Sequence, residues 1–193
     1  MTLVVKLGGS HADTPLRLDW LLAIGRGAGR IVLVPGGGPF ADTVRAMQPV
    51  IGFHDAAAHE MALLAMAQFG LALCGSEAGH EARLVPATSV TEIETALGDG
   101  LVPVWMPAAM LRSAPDIQES WDVTSDSLAI WLANRLGAEA VLIIKRDSAG
   151  SVDAAFQAMR ARYRGRVLIA GPEDIPVSGL DAAHPPGHER VVV

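Results

Sequence analysis

The chain has 193 residues, half of them apolar, and a formal net charge of −6. That length fits one domain over residues 1–193 with a substantial core, and an acidic balance without a dense run of Lys and Arg argues against a nucleic-acid partner. Cys74 is the only cysteine, which excludes an internal disulfide and a cysteine-rich metal site.

The first element in chain order is the apolar, β-branched run at residues 3–7, which reads as a buried strand. It contains a charge and is too short for a signal peptide or a membrane span, and no other segment reads as membrane-spanning. A soluble, cytoplasmic protein without a membrane partner is expected. Thr14-Pro15 opens a helix bearing Leu16, Trp20, Leu21 and Ile24. "GRGAG" at 25–29 follows that helix and reads as a turn. A second strand at 30–35 leads into three glycines and a helical stretch containing Val44 and Met47. Met61, Leu64, Ala65 and Phe69 mark one face of another helix, and Phe156, Met159 and Tyr163 one face of a later one. Further strands are expected at 71–74, 101–105, 140–145, 166–170 and 190–193, with surface structure at 86–100 and 183–190. Strand and helix in alternation predict an α/β fold, a three-layer αβα sandwich with an open, mostly parallel central sheet.

Three features stand where these strands end. Lys6 lies in the first strand, just before Gly8, Gly9 and the Ser10 hydroxyl. Glycines let backbone N–H groups approach an anion, and the lysine adds a point charge. Gly36, Gly37 and Gly38 follow the second strand and precede a helix, a second anion-binding arrangement. It is not a Walker A loop, because no Gly-Lys-Ser/Thr follows. Thr124 or Ser125 can cap the helix that starts near 125, and Asp126 in its first turn suits the helix dipole. A carboxylate facing two phosphate-binding loops requires cations or a metal between them, and Lys6 and Lys145 are available.

In this order, "VVKLGGS", "VLVPGGGPFAD" and "VTSDSLAIWLANRLGAEAVLIIK" resemble the amino acid kinase superfamily over most of the chain. "VPGGGPFADTVR", "HEMALLAMAQFG" and "WDVTSDSLAIWLA" most resemble its aminomethylfuranmethanol phosphate kinase branch. The resemblance implies an ATP-dependent kinase of a small phosphorylated substrate, with ATP and Mg²⁺ as cofactors, built as a homo-oligomer. It implies that Lys6 contacts the transferring phosphoryl group and that Gly8, Gly9 and Gly36 to Gly38 present N–H groups to phosphates. Asp126 would orient the lysines, Lys145 and Asp147 would meet the nucleotide, and His59, Thr124 and Ser125 would face the acceptor. "IKRDSAG" (144–150) departs from the family's Thr-Asp-Val-Asp-Gly loop. No lysine follows Lys145, so any second late cation is one of Arg146, Arg160, Arg162, Arg164, Arg166 and Arg190. Two other readings stand beside this one: a catalytically silent anion-binding or storage relative, and a kinase of another acceptor.

No metal site is expected. His54 and His59 are badly spaced on a helix, and Pro185 and Pro186 break any helix joining His184 to His188. Trp105, Trp121 and Trp131 read as core or interface residues, with part of the Trp131 helix facing another subunit.

Overall fold

The computed structural model describes residues 1–112, 114–146 and 150–189. Among them, β1 (Leu3–Leu7), β2 (Ile31–Pro35), β3 (Leu84–Ala87), β4 (Val102–Trp105), β5 (Ala140–Ile144), β6 (Arg166–Ala170) and β7 (His188–Glu189) form one sheet. Its order is β3-β4-β2-β1-β5-β6-β7. All neighbours are parallel except β7, which runs against β6. The connecting helices are α1 (Leu16–Arg26), α2 (Gly38–Ile51), α3 (Asp55–Cys74), α4 (Glu77–Glu81), α5 (Val90–Gly98), α6 (Ala108–Leu111), α7 (Ser125–Leu136) and α8 (Phe156–Arg162).

Both faces of the sheet are covered, which is why β1, β2 and β5 are apolar along nearly their whole length. Leu3, Val5 and Leu7 share one core cluster with Trp20 and Leu21 of α1 and with Phe69 and Leu73 of α3. Val4, Val141 and Ile143 belong to the opposite cluster, with Leu128 and Trp131 of α7, Ile93 of α5 and Phe156 of α8. Trp131 stacks on Trp105 at 6.0 Å between ring centroids.

Side chains alternate along a strand, so position two residues beyond Val4 returns to the α7 face, and so does position two beyond Ile143. Those positions are Lys6 and Lys145. Because β1 and β5 are adjacent and parallel, with Lys6 level with Ile143, both ammonium-bearing side chains leave the same rim of the sheet under the same helix.

Four expectations change. Residues 71–74 are not a strand but the last turn of α3. An apolar run that short cannot be told from a buried helical turn by periodicity. The strand lies instead at β3, where Pro86 sits in an edge strand that needs no ladder hydrogen bond from it. On α3 itself, Met61 and Leu64 are exposed while Leu63, Ala65, Met66 and Phe69 are buried. By length and composition α3 is apolar enough to cross a membrane, although nearly half of its apolar stretch is buried inside the fold. Finally, Trp131 stands in the core, one of the two places expected for it, but α7 is buried within the chain from Ser125 to Ala133, where part of the helix was expected to face another subunit. The strand expected at 190–193, and with it Arg190, lies outside the described residues.

Candidate active site

Asp126 sits in the first turn of α7, 3% exposed, with its carboxylate between two ammonium groups. Lys6 Nζ is 2.8 Å from Oδ1, and Lys145 Nζ donates to Oδ2 at 2.6 Å. Lys145 Nζ also donates to the Ser151 carbonyl at 2.8 Å. These are the only two lysines in the chain; every other permanently cationic side chain is an arginine. Burial works to raise the Asp126 carboxyl, but the charges of Lys6 and Lys145, with their hydrogen bonds, outweigh it and hold the group below its ordinary value. Burial, and then the charge of Lys6, hold the Lys145 ammonium below the ordinary lysine value, with Asp126 and Asp153 pulling the other way. The cluster therefore carries one anion and two cations, a net positive charge that favours a second anion beside it.

Two glycine turns border this cluster. Gly36 N donates to the Leu7 carbonyl at 2.9 Å, carrying the β1–β2 ladder into the loops and seating one turn on the other. A Cβ on Gly9 would stand 2.1 Å from Gly38 N, and one on Gly36 would stand 2.4 Å from Gly9 N. Both positions therefore demand glycine. Gly38 also has φ +55°, in the left-handed region. A Cβ on Gly8 would come within 3.3 Å of Lys6 Nζ, so the first turn lies directly against the ammonium group. No side chain caps α2, which leaves its N-terminus open behind Gly37 and Gly38. His11, after the first turn, is fully buried, and burial holds its imidazole below the ordinary histidine value.

A cavity of about 250 Å³ opens beside the turns. Gly9, Ser10, Gly36, Gly37, Gly38, Thr124 and Ser125 form its end next to Asp126, Leu63, Met66 and Leu128 its apolar wall, and Arg45, His59 and Trp121 its far side. His59 is buried, with Nδ1 3.4 Å from the Ser120 carbonyl. The Arg45 guanidinium lies 4.3 Å over the Trp121 ring, and Trp121 Nε1 donates to Gln48 Oε1 at 2.7 Å.

The structure thus brings together Lys6, Gly8, Gly9, Ser10, Gly36, Gly37, Gly38, Asp126, Lys145, His59, Thr124 and Ser125, while Asp147 lies outside the described residues. Lys145 falls at the Asp126 carboxylate with Lys6, the two cations that the sequence offered for it. Thr124 is the N-cap residue by position, but its hydroxyl donates to Asp153 and not to its own helix. Trp121 lines the cavity, contrary to the core or interface place expected for it. Sequence reasoning also missed Arg45 and Asp153. Arg45 is one residue in an exposed helical stretch, and Asp153 reaches α7 across 26 to 29 residues, so neither carries a local signal.

Among the described residues no three His, Cys, Asp or Glu side chains gather into a metal-binding group. The glycine turns and paired lysines do fit a polyphosphate: the first turn leaves space at Lys6 Nζ that a Cβ on Gly8 would crowd, and the second opens onto the uncapped N-terminus of α2.

Comparisons with known proteins bear on the fold and the family. [5-(Aminomethyl)furan-3-yl]methyl phosphate kinase of Methanocaldococcus jannaschii is 25% identical over 142 residues, covering 72% of this chain and 63% of the relative. The chain therefore spans less than two thirds of that protein's length. In fold, it is similar to uridylate kinase from Archaeoglobus fulgidus, with a TM-score of 0.63 at 13% identity over 90% of this chain and 93% of the other. UMP kinase from Ureaplasma parvum gives 0.62 at 13% identity, covering 91% of each chain. Aspartate kinase from Synechocystis gives 0.60 at 14% identity, over 90% of this chain and 38% of that one. The family model described as the amino acid kinase family matches residues 1–150, and with the fold and the glycine turns in agreement, this chain belongs to the amino acid kinase family.

Proposed function

We propose that the protein is an ATP-dependent phosphotransferase acting on a small phosphate-bearing acceptor, with [5-(aminomethyl)furan-3-yl]methyl phosphate as the leading candidate. The observation that carries this reading is the Asp126 carboxylate held between the two lysines at the meeting point of both glycine turns. Phosphoryl transfer needs alignment and charge stabilisation more than covalent help, and preorganised ammonium and N–H groups supply both. An acceptor phosphate is already ionised near neutral pH. Its oxygen attacks the γ-phosphorus, the bond to the ADP oxygen breaks with its electron pair, and no proton need be removed. Asp126 accordingly acts as an orienting anion and not as a base. Mg²⁺ would arrive with the nucleotide and neutralise part of its phosphate charge.

The test is ADP release with Mg²⁺-ATP against phosphorylated and carboxylated acceptors, with product mass as a second readout. A diphosphate formed from the aminomethylfuran phosphate supports the acceptor assignment. Turnover of another acceptor alone replaces it, and turnover of none together with no ATP binding by calorimetry removes the kinase reading.

Arg45 is a cation lining the cavity, lying over Trp121 and paired with the exposed Asp42 at 3.5 Å, a weak surface contact that an incoming anion can replace. Arg45→Met is expected to raise the acceptor KM by about 10–100-fold, the equivalent of one charged hydrogen bond, while the ATP KM stays put. An equal rise in both constants would contradict an acceptor role.

Helices α2 and α3 expose Phe40, Val50, Ile51, Leu64 and Leu71, large apolar side chains of the kind that subunit contacts cover. A second copy of the chain is proposed to cover them. Leu64→Glu with Leu71→Glu should lower the mass measured by light scattering to that of one chain, and an unchanged mass would place the contact elsewhere.

A further inference from the structure

Asp153 lies between β5 and α8 and caps a helix to which it is not adjacent in sequence. Its Oδ2 accepts the Thr124 N–H at 3.0 Å, the Ser127 N–H at 3.0 Å and the Thr124 hydroxyl at 2.8 Å. The Ser127 hydroxyl donates to Oδ1. Four donors thus converge on one carboxylate at the positive end of α7, where a charged acceptor is worth more than the neutral hydroxyl cap it replaces. Asp126 lies inside the turn that these bonds define. The same segment is tied at other points: Lys145 Nζ to the Ser151 carbonyl and the Ala155 N–H to the Asp122 carbonyl at 3.0 Å. One side chain therefore joins the helix that carries the anion to the strand exit that carries its second cation.

We propose that Asp153 is a positioning residue for phosphoryl transfer, fixing the first turn of α7 so that Asp126 holds Lys6 and Lys145 in register. The proposal rests on the kinase reading for its effect on rate, but its structural half is measurable without turnover. A displacement of about 1 Å at a phosphoryl-transfer site costs about 10²-fold in rate. Asp153→Asn and Asp153→Ala are therefore expected to lower kcat by up to about 10²-fold while both KM values stay within about threefold. Formate should restore part of the Asp153→Ala rate by refilling the vacated cap, and should leave the wild type unchanged.

The second readout is acetylation of Lys145 relative to Lys6 by acetic anhydride, followed by mass spectrometry. In both variants the Lys145 share should rise severalfold, because the group loses a nearby anion and a tethered carbonyl together. If that share is unchanged in folded Asp153→Asn protein, or if kcat per folded molecule matches the wild type, the proposal is overturned. A wild type without turnover but with the labelling change in Asp153→Asn would keep the positioning role and remove the kinase reading. No turnover and no labelling change would remove both.

Discussion

Asp126→Asn is expected to lower kcat by about 10³-fold or more, because it releases both cations that would stabilise the transferring phosphoryl group. The substitution keeps the shape of the side chain and removes only its charge. What remains is a pair of ammonium groups, with side chains 7% and 15% exposed, facing each other without the anion between them. Breaking a buried ion pair from one side costs about 3–5 kcal/mol, so thermal unfolding should move down as well. Part of that cost is relieved if Lys145 gives up its proton. Its ammonium is already held below the ordinary lysine value, by burial first and then by Lys6, and Asp126 is the group that most strongly opposes the shift. The alkaline limb of the kcat profile should therefore move toward neutral pH in the variant. The sign at the acid end follows from the depressed carboxyl of Asp126. Its contribution to wild-type stability is present above the ordinary carboxylate range and is lost as pH falls through its lowered value. The variant should lack that component of acid unfolding. A variant with wild-type kcat and an unshifted alkaline limb would show that the bridged lysines are not the reacting centre.

Gly9→Ala is the second substitution expected to act strongly, and it acts through space. The added methyl group would meet Gly38 N at 2.1 Å and Gly38 Cα at 2.3 Å, both backbone atoms with no rotamer to yield. One turn must then separate from the other, which opens the proposed phosphate cradle and disturbs the start of α2. Overpacking of this kind costs about 1–3 kcal/mol, and the displaced N–H groups should reduce kcat/KM by at least about 10²-fold. Gly52→Ala gives a useful comparison, since its Cβ meets nothing within 4 Å and only its φ of +82° is unfavourable. Gly52→Ala should lose stability without a comparable loss of kcat/KM. Equal catalytic losses in the two variants would mean that the contact between the turns is not what matters.

The parts of this site that were legible in sequence are those where a residue contradicts its surroundings. Lys6 and Lys145 are charges at the ends of runs otherwise buried on both faces, and the structure puts both under α7. Gly36 to Gly38 exceed what a simple turn needs. Asp126 is an acid at the mouth of an apolar helix. The cavity wall was not legible, because Arg45 and Trp121 meet only once α2 has packed beside the loop before α7. The cap on α7 was hidden for a related reason. Thr124 looks like a sufficient local cap, and nothing nearby indicates that a distant carboxylate takes its hydroxyl. In the fold, β3 was obscured by Pro86, which argues against a strand everywhere except at a sheet edge, and the end of α3 by its own uniform apolarity.

The central place of β1 has a bearing on how the molecule comes into being on the ribosome. Its partner on one side, β2, follows within about thirty residues, whereas Leu3 on the other side pairs with Ala140. A growing polypeptide that has released β1 to β4 ends its partial sheet on an unpaired apolar edge at β1, with Lys6 still waiting for its carboxylate. That interval is when self-association competes with folding, and shelter by a chaperone would matter most then.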